Sequence, residues 1–183
     1  MMQLRKRFLT ALVPLIFSSP LFAQHDVHAV LIPPAARKAA PAFRLKNEAG
    51  KELQVKDFKG KVVLLDFWAT ECGGCVLEIP SFIELQQAYK DKEFTAVGVS
   101  MDIPYEDLKS PEEAWSKVKP FVAAHKLNYP ILMGDESISR EYNLQAYPMT
   151  CLLDKSGKIA ATYVGVVSKA DVETNIKALL AEK

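Results

Sequence analysis

Two cysteines three positions apart, Cys72 and Cys75, are the residues of this 183-residue chain best suited to chemistry. They stand where an apolar run, Val62-Val63-Leu64-Leu65-Asp66-Phe67, gives way to a helical pattern. If a strand ends near Phe67 and a helix opens at Gly73, Cys72 sits at the helix N-terminus. Unpaired amides and the positive end of the helix dipole favour a thiolate there. Cys75 lies about one turn further in, less exposed and within reach to close a disulfide. The geometry divides the work: Cys72 attacks a partner's disulfide or accepts attack, and Cys75 resolves the mixed disulfide. A bridge over so few residues constrains the unfolded chain little, so a purely structural staple is a poor explanation. Metal binding is the competing chemistry. The three histidines are His25, His28 and His125, and there is no second Cys-x-x-Cys, which argues against structural zinc. Copper held between Cys72 and Cys75 stays as an alternative that lacks an obvious third ligand.

The rest of the chain sets the setting for that pair. About half of the residues are apolar (49%), enough for one domain with a real core. Residues 1–23 contribute Arg5, Lys6 and Arg7 and no acid, leaving 20 basic and 22 acidic residues over the other 160. A net charge near −2 offers no electrostatic footprint for nucleic acid. Arg5-Lys6-Arg7 reads as the positive start of a targeting segment, and residues 8–22 as its apolar stretch, broken by Pro14 and Pro20. The stretch is shorter than the ~20 residues that span a bilayer. Residues 1–23 are therefore expected to be a cleaved signal peptide, with a retained N-terminal anchor through residues 8–22 as the other possibility. Cleavage after Leu21-Phe22-Ala23, or after Val27-His28-Ala29, would fit. On either reading the domain is exported, to a periplasmic or other extracytoplasmic place. Residues 24–41, with Pro33-Pro34 and an alanine-rich stretch, read as a flexible tether, and residues 42–183 as the folded domain.

The elements that must position the cysteines follow from periodicity. Phe43-Arg44-Leu45 and Leu53-Gln54-Val55 alternate around a turn at Asn47–Lys51, which predicts a hairpin. Val62 to Phe67 is continuously apolar, as in a strand buried on both faces. Val76, Ile79, Phe82, Ile83, Leu85 and Tyr89 are spaced as one helix, with a kink expected at Pro80. Phe94–Val99 is the next strand. Ser110, Pro111 and Glu113 open a helix, which Pro120 is expected to kink or divide. Pro130–Met133 predicts a strand, Ser137–Tyr142 a short helix ended by Asn143, Thr150–Leu153 a strand, and Ile159–Tyr163 its hairpin partner. A last helix starts near Ser168 and Asp171, with Val172, Ile176, Leu179 and Leu180 facing inward. Strands alternating with helices, then a hairpin and a helix, make an α/β sandwich with a mixed sheet.

Leu64 to Cys75, Leu-Leu-Asp-Phe-Trp-Ala-Thr-x-Cys-x-x-Cys, resembles the active-site stretch of the thioredoxin superfamily. Cys72 to Pro80, Cys-x-x-Cys-x-x-Glu-x-Pro, resembles the TlpA/ResA-like exported thiol–disulfide oxidoreductases, and the likeness extends from about Ala42 to Ala181. It implies a thioredoxin-like sandwich: a central mixed sheet flanked by helices, with an N-terminal β-hairpin and an inserted helical segment between about Met101 and Pro130. It further implies that Pro148 is a cis-proline lying against the disulfide and shaping a peptide-binding groove. Tyr147 would offer backbone groups to an extended partner. Asp66 matches a buried aspartate beneath the site, and Glu78 an acidic residue of this branch on the helical face of Cys75. Either could exchange a proton with Cys75. Trp68 is expected to pack beneath the site with an edge in the groove.

Two residues depart from the resemblance. Glu71 stands where tryptophan is usual, an anion that opposes the thiolate of Cys72 and alters the surface met by a partner. Gly74 replaces a common proline, so that Gly73-Gly74 would loosen the dithiol loop. Cys151, in a predicted strand, is expected to be a buried, inert thiol. The reading that results is an exported thiol–disulfide oxidoreductase, a protein-disulfide reductase that uses Cys72 and Cys75 and no bound cofactor. By resemblance its partners are oxidised exported proteins, as in cytochrome c maturation, and a membrane electron donor of the DsbD/CcdA type. It is expected to be a monomer that binds no nucleic acid and no metal. The alternatives are a copper metallochaperone on the same pair and a thiol peroxidase. The second conflicts with Ala69, which occupies the place of the threonine three before the peroxidatic cysteine.

Overall fold

The computed structural model describes residues 26–182. The expected signal segment, residues 1–23, lies outside them. A hairpin of β1 (Arg44–Lys46) and β2 (Glu52–Gln54) precedes the central β3 (Val62–Trp68). Then follow α1 (Gly73–Tyr89), β4 (Phe94–Ser100), α2 (Asp102–Glu106) and α3 (Pro111–His125). The chain continues through β5 (Ile131–Met133), α4 (Glu136–Glu141), β6 (Met149–Leu153), β7 (Ile159–Val164) and α5 (Lys169–Ala181). The five-stranded sheet has the order β5-β4-β3-β6-β7. β3 and β4, and β4 and β5, run parallel, while β6 lies antiparallel to both β3 and β7. This is the expected mixed sheet with its N-terminal hairpin.

All seven residues of β3 are buried, which accounts for its unbroken apolar run: both faces of the sheet are covered. Val62, Leu64 and Trp68 face one core with Ile79 and Phe82 of α1, Ala114 and Val118 of α3, and Val172 and Ile176 of α5. Val63, Leu65 and Phe67 face the other, with Leu45 of the hairpin and Ile138 of α4. Period-two alternation along β3 thus places Asp66 between Leu64 and Trp68 on the α1 face.

Two expectations change. α1 runs on through Pro80 and α3 through Pro120, so Pro120 does not divide its helix. The short α2 has no sequence periodicity to announce it. The largest correction concerns the segment read as a flexible tether. From Asp26 to Pro41 the chain lies along the edge of β7: Val27 donates its N–H to Val166 O, Ile32 donates to Ala160 O, and Lys38 O accepts from Ile159. Arg37 is buried, with paired bonds to Glu182 (2.6 and 2.7 Å), one to Asp154 (3.2 Å) and one to Ile32 O (2.8 Å). At the opposite edge, Asn47 bridges Leu132 of β5. The N-terminal segment thus pairs along the β7 edge and the hairpin touches the β5 edge, so each open edge leaves less unpaired strand backbone to solvent.

Candidate active site

The strand-to-helix junction is built as the spacing predicts. Cys72 is the N-cap of α1, in extended conformation (φ −88°, ψ 103°), and its Sγ accepts the N–H of Cys75 at 3.2 Å. Cys72 and Cys75 form a disulfide with an S–S distance of 2.06 Å and a Cα–Cα distance of 5.3 Å. Cys75 is fully enclosed while Cys72 keeps a small exposed area. A sulfur at an N-cap receives the helix's free amides, the environment that lowers a thiol pKa.

The Tyr147–Pro148 bond is cis. Pro148 is packed directly on the dithiol loop: a Cβ added at Gly74 would lie 3.1 Å from Pro148 Cδ and 3.3 Å from Val166 Cγ2. Gly74 is thus a close-approach glycine. Gly73, with nothing near its would-be Cβ, is not. Tyr147 is half-buried and meets Tyr105 of α2 edge-to-face, with centroids 5.4 Å apart. Glu71 is exposed beside Cys72, where water screens its charge. Trp68 does not reach the groove: it is fully buried and packs on Phe121 at 5.1 Å. The expected exposed edge is absent because α3 covers the indole.

On the side of the sheet whose core holds Cys72, Cys75, Trp68 and Tyr129 lies a set of buried polar groups. Asp66 is 1% exposed and Glu78 2%. Glu78 shares the α1 face of Cys75 by its three-residue spacing, and its Oε2 accepts the backbone N–H of Val167 at 3.1 Å. Its Oε1, both oxygens of Asp66, the hydroxyl of Tyr129 and the indole N–H of Trp68 are buried without a hydrogen-bond partner. The register pairs Asp66 with Gly98 on β4. A side chain at Gly98 would strike Ile131 (2.7 Å), Trp68 Nε1 (2.8 Å) and Tyr129 (3.3 Å), so this glycine leaves the room that those side chains fill. Burial pushes the Asp66 carboxyl up to about 8. Burial, then the neighbouring Asp66 charge, pushes Glu78 up to about 9 against the pull of the Val167 amide. Burial and the same two acids raise Tyr129 well above an ordinary tyrosine. Two carboxyls that hold their protons near neutrality are therefore buried together, one of them on α1 three residues from Cys75, and they titrate as a pair.

Tyr129 was not legible as a member of this cluster. Nor was Asp102, a buried acid at the start of α2 that holds Thr70, two residues before Cys72. Its one signal is an acid two residues past the end of β4. Cys151 lies in the other core, on the far face of the sheet from Cys75. Burial pushes its thiol up to about 11, in keeping with an inert residue. His125 stacks on Phe121 at 4.2 Å. Among the described residues no group of three or more His, Cys, Asp or Glu could hold a metal ion, and no helix is long and apolar enough to cross a membrane.

The same architecture appears in known proteins. The chain is 36% identical over 137 residues to the thioredoxin-like protein YneN of Bacillus subtilis, covering 75% of this chain and 76% of that one. It is 34% identical over 142 residues to the thiol–disulfide oxidoreductase ResA of Bacillus thuringiensis, covering 76% of each. A solved structure, a thiol:disulfide interchange protein of the thioredoxin family from Chlorobium tepidum, superposes with a TM-score of 0.68 at 26% identity, over 81% of this chain and all of that one. The AhpC/TSA family model matches residues 36–162. With a Cys-x-x-Cys disulfide at a helix N-cap and relatives of that kind, the chain belongs to the AhpC/TSA family of thioredoxin-fold proteins and is a ResA-like thiol–disulfide oxidoreductase.

Proposed function

We propose that this oxidoreductase works as a reductase of oxidised proteins outside the cytoplasm, with Cys72 as the attacking thiol and Cys75 as the resolving one. The Cys72 thiolate attacks a substrate disulfide, forming a mixed disulfide and releasing one substrate thiolate. Cys75 then loses its proton and attacks Cys72 Sγ, closing Cys72–Cys75 and releasing the second substrate thiolate, which is protonated. Each turnover takes two electrons from the protein dithiol, so a donor must restore it. A membrane thiol donor of the DsbD/CcdA type is the reading the resemblance favours, with apocytochrome c cysteines among the substrates. The ionised form of the Asp66–Glu78 pair, the minority form near neutrality, is the proton acceptor for Cys75, and Tyr147 and Pro148 form the wall against which the substrate chain lies. Glu71 faces that chain at the rim. The targeting segment at residues 1–23 supports export.

The observation that carries this reading is the pair of buried carboxyls, raised to about 8 and about 9, behind a disulfide whose outer sulfur caps a helix. Buried carboxyls that keep their protons near neutrality suit an inner thiol that must ionise and re-protonate in each cycle. The copper-holding alternative gains no third ligand among the described residues. The test is a Cys75→Ser variant expressed in the cell envelope, with adducts resolved on non-reducing gels and identified by mass spectrometry. Mixed disulfides through Cys72 to exported proteins are expected. A variant that traps none, beside a wild-type pair that stays oxidised in the cell, would sink the reductase reading.

A further inference from the structure

We propose that Asp102 is a positioning residue for the dithiol, holding the loop that carries Cys72 through Thr70. The inference rests on Cys72–Cys75 being the working pair.

Asp102 opens α2 and has no exposed surface. Its Oδ1 accepts two bonds from Thr70, from the backbone N–H at 3.0 Å and from the hydroxyl at 2.5 Å. Its Oδ2 accepts the Ser100 hydroxyl at 2.7 Å. Three donors on one enclosed carboxylate compensate its desolvation. They also aim it: two of the three come from a single residue in the link between β3 and Cys72. The neighbouring backbone adds to the clamp, since Met101 donates its N–H to Trp68 O at 2.7 Å. Within the link itself, Cys72 N–H reaches Ala69 O at 3.2 Å, which closes a tight turn but does not fix that turn against the sheet. The fixing comes from α2.

The same five-residue helix meets the opposite wall. Tyr105 packs edge-to-face on Tyr147 at 5.4 Å, and Tyr147 precedes the proline that lies on Gly74. One short element therefore touches both banks of the disulfide, the Cys72 loop by Asp102 and the cis-proline loop by Tyr105. Without the Asp102 clamp, the Ala69–Glu71 link samples placements of Cys72 from which Cys75 cannot be reached. The effective concentration of one thiol at the other falls, and the disulfide is less favoured than in the wild type.

The equilibrium with glutathione reads this directly. Reduced protein and glutathione disulfide give oxidised protein and two glutathione thiols; the protein loses two electrons and two protons, and the glutathione disulfide gains both. Asp102→Ala is expected to lower that equilibrium constant about tenfold, a potential about 30 mV less reducing. Asp102→Asn keeps a carbonyl for both Thr70 donors and can donate its amide to the Ser100 hydroxyl, so it is expected to stay within about twofold of wild type. Thr70→Val, which loses only the hydroxyl bond, should move the constant about threefold in the same direction. If Asp102 merely stabilises the fold, thermal midpoints drop while the constants do not change. A constant for Asp102→Ala within twofold of wild type overturns the proposal. Should that variant not fold, a Thr70→Val constant equal to wild type overturns it instead. A wild-type pair that never exchanges with glutathione overturns the dithiol reading as well, a failure separate from normal exchange that ignores Asp102.

Discussion

The backbone N–H of Val167 points at Glu78 Oε2, 3.1 Å away, so an acid on α1 is fixed to the segment entering α5. The other oxygen of Glu78 has no partner, and neither has either oxygen of Asp66. One neutral amide is too little to hold a carboxylate in a buried place, so burial wins and the proton stays. Glu78 is thereby both anchored and loaded.

Glu78→Gln separates those two properties. The amide oxygen still accepts from Val167, so the fold should hold, but no proton can be exchanged. If Glu78 serves Cys75, resolution of the mixed disulfide should slow about a hundredfold, within the usual range for a lost acid–base group. Acid-quenched time courses of mixed-disulfide decay measure this step. A rate within threefold of wild type at pH 7 would assign the role to Asp66 alone.

The same two acids tilt stability with pH. An unfolded carboxyl ionises near pH 4, while the folded Asp66 and Glu78 ionise at about 8 and about 9. Between these values the folded state binds the extra protons. Their stabilising effect is thus full below about pH 4 and is lost as pH rises through 8 to 9. The urea midpoint of the oxidised protein should fall steadily from pH 5 to pH 9. Asp66→Asn should flatten that slope. A wild-type midpoint that rises over this range would contradict the buried, protonated state of the pair.

How much of this was readable from the sequence depended on how local the cause was. Cys72 at a helix start follows from an apolar strand meeting a helical pattern, and both patterns are local. Helical spacing also set Glu78 on the face of Cys75. Its burial was not legible, because the backbone that covers it belongs to Val167, far along the chain. Trp68 failed in the same way: Phe121 closes over an indole that strand alternation alone would leave at a margin. α2 is five residues long with a proline inside, too short to show a period. Residues 26–41 have the composition of a linker, but the groups that hold Arg37 lie at Asp154 and Glu182. No local reading pairs residues so far apart.

Arg37 therefore makes a prediction that a tether would not. Its guanidinium is nearly enclosed, at 2% exposure, against partners at 12% and 35%. Removing one member of a fully buried pair costs about 3–5 kcal/mol. Because Glu182 is partly solvated, about 2 kcal/mol is expected for Arg37→Ala. A chain beginning at Ala42 should lose at least as much, since it also uncovers the β7 edge. Urea unfolding at pH 7 measures both. An Ala42 start as stable as an Asp26 start would mean that the segment only rests on the sheet.

The two glycines between the cysteines, alike in sequence, should respond in opposite ways to one added methyl group. A Cβ at Gly73 meets nothing within 4 Å, whereas one at Gly74 presses on Pro148 and Val166 at 3.1 and 3.3 Å. Neither glycine has the positive φ that would strain an alanine. Gly73→Ala should gain about 0.4–1 kcal/mol by restricting the unfolded chain, a rise of about 1–4 °C in the thermal midpoint. Gly74→Ala has the same entropic gain, but it must displace a proline ring and a valine, and overpacking of this kind costs about 1–3 kcal/mol. Its midpoint should fall below wild type. Because the displaced ring is the wall proposed to meet the substrate, reduction of a protein disulfide should slow more than reduction of a small one such as oxidised dithiothreitol. If both alanines stabilise and both substrates react as before, then Gly74 serves flexibility and Pro148 is not a fixed wall. If the order holds, the place of Gly74 is explained by the approach of Pro148, and the loop it belongs to is tighter than its two glycines suggest.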